Sequence, residues 1–127
     1  MPKILIVDDD PLIRNLLSQI LEPFEENSVE LLSAENGMVA IEKIREVKPE
    51  IVFLDVMMPK MNGFEVCNIV KNDLDTKDCY IIMLTAKGQE LDKQKAKGFG
   101  ADFYITKPFN IYEIINKVEK VLGIRVS

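Results

Sequence analysis

Glu50-Ile51-Val52-Phe53-Leu54-Asp55 (EIVFLD) is a continuous apolar run that enters and leaves on a carboxylate. A strand with one face in water alternates apolar and polar residues, whereas a strand buried on both faces reads as unbroken apolar sequence. The run KILIV at 3–7 reads the same way, and it too ends in acid, Asp8-Asp9-Asp10. Three further short apolar runs recur along the chain: VELLSA at 29–34, YIIML at 80–84 and ADFYI at 101–105.

Between these runs the apolar residues recur at helical spacing. Asp10-Pro11, a capping residue followed by proline, opens a stripe of Leu12, Ile13, Leu16, Leu17, Ile20 and Leu21. Asn36-Gly37 opens a second, with Ala40, Ile41, Ile44 and Val47, which Lys48-Pro49 ends. Asn62-Gly63 precedes Phe64, Val66, Cys67, Ile69 and Val70. The segment Gln89–Lys97 is polar, with Leu91 and Ala96 as its anchors and Gly98 as its stop. After Lys107-Pro108 a last stripe carries Ile111, Ile114, Ile115, Val118, Val121 and Leu122, stopped by Gly123, with the remainder expected to fray. Strand–helix alternation repeated five times predicts a doubly wound parallel sheet with five flanking helices. No linker or repeat interrupts it, so a single α/β domain is expected over residues 1–127.

The chain has 127 residues, a net charge of -5, no His, no Trp and two Cys. Without His there is no catalytic triad, no histidine base and no common zinc site. The acidic balance argues against direct nucleic-acid binding, which needs a basic footprint. The acidity is uneven: Lys87 to Lys120 carries a net +2 and the rest -7. Cys67 and Cys79 suit a reducing compartment. No apolar run is long enough to span a bilayer and the N-terminus does not read as a signal peptide, so a cytoplasmic protein without membrane insertion is expected.

In an open parallel sheet, ligands bind where the strands' carboxyl ends meet. The chemically distinctive residues fall there: Asp8-Asp9-Asp10 after the first run, Asp55 after the third, Thr85-Ala86 after the fourth and Thr106-Lys107-Pro108 after the fifth. Asp10, directly before Pro11, reads as a helix cap. Asp8, Asp9 and Asp55 together exceed what capping explains. Clustered carboxylates repel one another unless a cation intervenes, and a hard divalent ion with oxygen ligands suits them. Lys107 on the same rim has a partner in that cluster, and Lys-Pro is a position where a cis bond aims a side chain.

The set Asp8-Asp9, Asp55 within LDVMMPKMNG, Thr85-Ala86 and Lys107-Pro108-Phe109 resembles the receiver domain of two-component response regulators, from about Lys3 to Leu122. The resemblance implies a flavodoxin-like sheet of order 2-1-3-4-5. It also implies phosphoryl transfer from a histidine kinase or histidine phosphotransfer protein onto Asp55, with Mg²⁺ or, in substitution, Mn²⁺. By the same resemblance Asp9 and Asp55 ligate the metal directly, Asp8 helps through water, and the Met57 backbone carbonyl is a further ligand. Thr85 is the hydroxyl that binds the phosphoryl oxygen, Lys107 the ammonium that pairs with it, and Tyr104 the aromatic switch that turns inward after Thr85. Pro59 and Gly63 match the loop after the acceptor, and the bond before Pro108 is expected cis.

Such a protein is a phosphoacceptor with Mg-dependent self-phosphorylation and autodephosphorylation, not a turnover enzyme in the usual sense. A downstream protein target is expected on the fourth predicted helix (89–97), the fifth strand and the last helix. Either a free-standing receiver or one cut from a longer regulator fits. Asp55→Asn is expected to leave the fold intact, on the reading that its side chain sits on the rim and packs little. Met57 and Lys87 are expected to flank the approach of a hydrolytic water, Met57 as an apolar obstruction. A receiver-like module that binds partners without phosphorylation is the alternative. A haloacid-dehalogenase-like phosphatase carries a second Asp two residues after its nucleophile, where this chain has Met57. A flavodoxin-type cofactor binder needs a phosphate loop where this chain has three Asp.

Overall fold

In the computed structural model, residues 1–86, 98 and 100–126 are described. The elements run β1 (Lys3–Val7), α1 (Pro11–Ile20), α2 (Glu22–Glu25), β2 (Glu30–Ala34), α3 (Gly37–Val47), β3 (Ile51–Asp55), α4 (Gly63–Lys71), β4 (Tyr80–Ala86), β5 (Phe103–Lys107) and α5 (Ile111–Leu122). The strands form one parallel sheet in the order β2-β1-β3-β4-β5. The sheet order is that of the flavodoxin-like fold expected from the sequence. The predicted helix at 89–97 lies outside the described residues.

The continuous apolar run of β3 has the environment it requires. Val52 and Leu54 pack into one core cluster with α3 and α4, while Ile51 and Phe53 pack into the other with α1 and α5. Both faces of the central strand are therefore dry, and its carboxyl end is where the chain first meets polar groups. Side-chain caps start the flanking helices: Asp10 accepts from Leu12 N, Asn36 from Val39 N and Asn110 from Glu113 N. Asn62 and Glu65 form a reciprocal capping box on α4.

The structure revises several local expectations. Leu12 is 75% exposed and Leu16 is also exposed, because α1 turns Leu17 and Ile20 inward and leaves the i, i+4 pair 12/16 on the outer side. Ile111 is likewise exposed, one turn ahead of the buried pair Ile114 and Val118. The fifth run forms a strand only from Phe103, because the Asp102 carboxylate itself accepts the Ile81 N–H at 2.8 Å and takes the place of a ladder bond. The short α2, with proline in its first turn, continues past the expected end of the first helix. After Gly123 the chain does not fray: Val126 N donates to Glu119 Oε2 at 2.7 Å, and Ile124 and Val126 pack against the core. Among the described residues no helix is long and apolar enough to cross a membrane. Cys67 and Cys79 are buried thiols that form no disulfide among the described residues, and burial pushes the Cys67 thiol up to about 11, which leaves it unreactive.

Candidate functional site

Parallel register carries the ends of β1, β3, β4 and β5 to one rim. Val7 pairs with Leu54, Asp55 with Leu84, and Ala86 with Lys107. Asp55 is therefore the last residue of the central strand, Asp8 follows its neighbour β1, and Lys107 ends the edge strand two places away. The carboxylates of Asp8, Asp9 and Asp55 each offer an oxygen within 4.8 Å of the others. Asp9 is exposed, whereas Asp8 and Asp55 are 1% and 4% exposed.

That burial corrects one expectation. Asp55 does not sit loosely on the rim; it is enclosed, since Val56 N still bonds Leu84 O at 3.2 Å and the chain continues the sheet before turning away. Its carboxylate accepts from Lys107 Nζ at 3.1 Å and from Met57 N at 3.3 Å. The same ammonium reaches Asp8 Oδ2 at 3.4 Å. One cation thus serves two buried anions, and the balance shows in the protonation of Asp55 and of Lys107. Burial pushes the Asp55 carboxyl up to about 6, the Asp8 charge adds to this, and Lys107 and the Met57 amide oppose it. For Lys107, burial alone would lower the pKa, but Asp55 and then Asp8 outweigh it and the net direction is upward.

The Thr85 hydroxyl is buried and has no hydrogen-bond partner among the described residues. An orphaned buried hydroxyl costs about 1–3 kcal/mol. It lies near the end of β4 beside the end of β3, where an incoming anionic oxygen would satisfy it. Asp10 is the helix cap that its place before Pro11 predicts. The Lys107–Pro108 bond is cis. Gly63 lies against the Asp55 carbonyl, and Pro59 accepts from Met61 N at 2.8 Å in the loop between them.

Tyr104 stands on β5 and is 38% exposed. Met57 is 65% exposed, so its thioether does not cover Asp55 as an obstruction would. Lys87 lies outside the described residues. Sequence reasoning missed Arg14, whose guanidinium donates to the Asp8 carbonyl at 2.7 Å and fixes the β1–α1 turn. Its place in the first turn of α1, directly after the acidic stretch, is the signal that points to it. The donor set fits a hard divalent cation: carboxylate oxygens converge, and a single ammonium offsets two of the three charges only in part.

A family model for the response regulator receiver domain matches residues 4–119. The chain is 39% identical over 122 residues to the DNA-binding dual master transcriptional regulator RpaA of Synechocystis sp., covering 96% of this chain and 49% of that one. It spans, that is, about half the length of that relative. It is 32% identical over 117 residues to Protein PilG of Pseudomonas aeruginosa, covering 92% of this chain and 84% of PilG. Among solved structures it resembles the chemotaxis response regulator CheY4 of Vibrio cholerae, with a TM-score of 0.83, 32% identity, and 95% and 98% of the two chains covered.

Proposed function

The chain belongs to the response regulator receiver domain family, and from that premise we propose that it accepts a phosphoryl group on Asp55 and signals through a protein surface that the modification alters. The observation that carries this reading is the 3.1 Å contact of Lys107 with Asp55 at the end of the central strand, amid three converging carboxylates.

The residues divide the work of a phosphoryl transfer. Asp55 is the nucleophile: although raised to about 6, its carboxyl is largely ionised at neutral pH and needs no general base. One of its oxygens forms a bond to phosphorus as the bond from phosphorus to the donor breaks, and the donor nitrogen keeps the electron pair and takes up a proton. Residues 1–127 contain no His, so a phosphohistidine donor lies outside them, in a histidine kinase or a phosphotransfer protein. Lys107, already beside the acceptor oxygen, pairs with the added negative charge, and the Thr85 hydroxyl donates to a phosphoryl oxygen. Asp9 and Asp55, with Asp8 through water and the Met57 carbonyl, would hold a Mg²⁺ ion. Bound there, it supplies positive charge against the phosphoryl oxygens. Tyr104 then follows Thr85, and β5 and α5 meet the downstream partner; the predicted helix at 89–97, expected to share in that contact, lies outside the described residues.

Incubation with acetyl phosphate and Mg²⁺, followed by intact-mass measurement, tests the reading. A single phosphoryl adduct should form, be lost in hydroxylamine and in strong base as an acyl phosphate is, and be absent in Asp55→Asn. Wild-type incorporation in that variant would overturn the assignment.

A further inference from the structure

Tyr104 has an aromatic neighbour that the receiver reading does not use. The ring of Phe103 stacks on it, with centroids 6.2 Å apart and planes 12° from parallel. Successive strand residues point to opposite faces, so two such rings meet only by reaching around an open sheet edge. β5 is that edge. Phe103 is held in turn by α5: the Lys117 ammonium lies 4.0 Å from its ring centroid. On its inner side Phe103 packs against the cluster that contains Ile105, Ile114 and Val118. A continuous series of contacts therefore runs from α5 through Lys117 and Phe103 to Tyr104.

We propose that Lys117 and Phe103 are positioning residues that hold the Tyr104 ring at the outer edge of the sheet and thereby set how readily the domain converts when Asp55 is phosphorylated. The inference rests on the reading of Tyr104 as the switch. A ring that turns inward leaves the face of Phe103 and forfeits the stack. Aromatic pairs and cation–π contacts at partly exposed sites each change an equilibrium by a few-fold to about tenfold. Only the stack is lost directly when the ring turns inward; the Lys117 contact favours the outward state by fixing the Phe103 ring on which Tyr104 stacks. Lys117 acts on Tyr104 only through Phe103, so its effect depends on its charge and not merely on its bulk.

Four proteins test this: wild type, Lys117→Gln, Lys117→Arg and Phe103→Leu. The Tyr104 ring is followed by aromatic NMR in metal-free protein, and again during titration with beryllium fluoride and Mg²⁺ as the phosphoryl mimic. Lys117→Gln and Phe103→Leu should move the Tyr104 resonances toward their beryllium fluoride positions before any mimic is added, and tighten apparent binding of the mimic about threefold or more. Lys117→Arg, which keeps a cation over the ring, should match wild type. Identical behaviour of Lys117→Gln and Lys117→Arg, or an unmoved Tyr104 ring in Phe103→Leu, would overturn the proposal. Should Phe103→Leu fail to fold, the two Lys117 variants decide alone. If Asp55 accepts no phosphoryl group, the functional reading falls, while the metal-free Tyr104 spectra still decide whether the clamp exists.

Discussion

The backbone of Gly63 lies so close beneath Asp55 that a Cβ there would stand 2.4 Å from the Asp55 carbonyl oxygen. It would also meet the Asp55 carbonyl carbon and the Val56 Cα at 3.0 Å, and none of these atoms can swing aside. Gly63→Ala gains up to about 1 kcal/mol of helix propensity in the first turn of α4. Overpacking against fixed backbone costs about 1–3 kcal/mol and wins. The variant should be less stable than wild type in urea denaturation and slower to accept a phosphoryl group, because the acceptor strand must shift. Gly37→Ala meets the side chains of Met61 and Val66 at 3.0 Å instead, and the flexible thioether can yield, so it should cost less. An equal or reversed order would show that the close approach does not constrain the acceptor.

The metal-free domain should lose stability as pH rises from about 4 to about 6. Asp55 titrates at 3.8 in the unfolded chain and at about 6 when folded, raised first by burial and then by Asp8. Between those values the folded state holds the extra proton, so the stability it confers is complete below the lower value and lost through the upper one. A shift of that size corresponds to roughly 2–3 kcal/mol. Asp55→Asn cannot ionise. Its stability advantage over wild type in EDTA should be near zero at acid pH and grow to that amount by neutral pH, read from paired urea titrations. An advantage that shrinks with rising pH would mean that Lys107 more than compensates the buried charge.

The sheet was legible because β3 is dry on both faces and its sequence must say so. The rim was legible because a carboxylate at the end of a dry strand is too costly to keep without a cation or a partner. Burial was not. Nothing in Leu54-Asp55-Val56 distinguishes an acid at a wet rim from one that is 4% exposed, because enclosure comes from neighbouring strands distant in sequence. The outward turn of Leu12 escaped for a related reason: two apolar pairs on α1 fit helical spacing, and only the position of the sheet decides which faces in. Arg14 and the Phe103–Lys117 contact join residues whose pairing depends on tertiary approach, so no local pattern announces them.

Lys107→Met should destabilise the metal-free protein at neutral pH by about 1–3 kcal/mol. Removing one member of a buried pair costs more than that when fully enclosed, but the Lys107 side chain is 28% exposed and water shares its charge. The share of the loss that comes from Asp55 should vanish toward pH 4–5, where that carboxyl is protonated and needs no counterion, and the loss should also shrink on addition of Mg²⁺. Thermal melts at the two pH values, with and without the metal, measure both recoveries. A deficit unchanged by acid and by Mg²⁺ would make Lys107 a packing residue rather than a counterion.

Decay of the Asp55 phosphoryl group should be limited by the lack, among the described residues, of a group to hold the attacking water, not by obstruction from Met57. Hydrolysis needs a water in line with phosphorus, opposite the leaving carboxylate. The Met57 amide bonds Asp55 Oδ1 at 3.3 Å, so residue 57 is tied to the acceptor. Its side chain is nevertheless largely in solvent, and a thioether is at best a weak acceptor. Met57→Ala should therefore leave the decay rate of the isolated phosphoprotein within about twofold in excess Mg²⁺. Met57→Asn carries both a donor and an acceptor at the same position and should speed decay by roughly threefold, with about tenfold for the double variant Met57→Asn, Lys87→Glu, equivalent to about 1.4 kcal/mol of barrier. Faster decay in Met57→Ala than in Met57→Asn would restore obstruction as the cause.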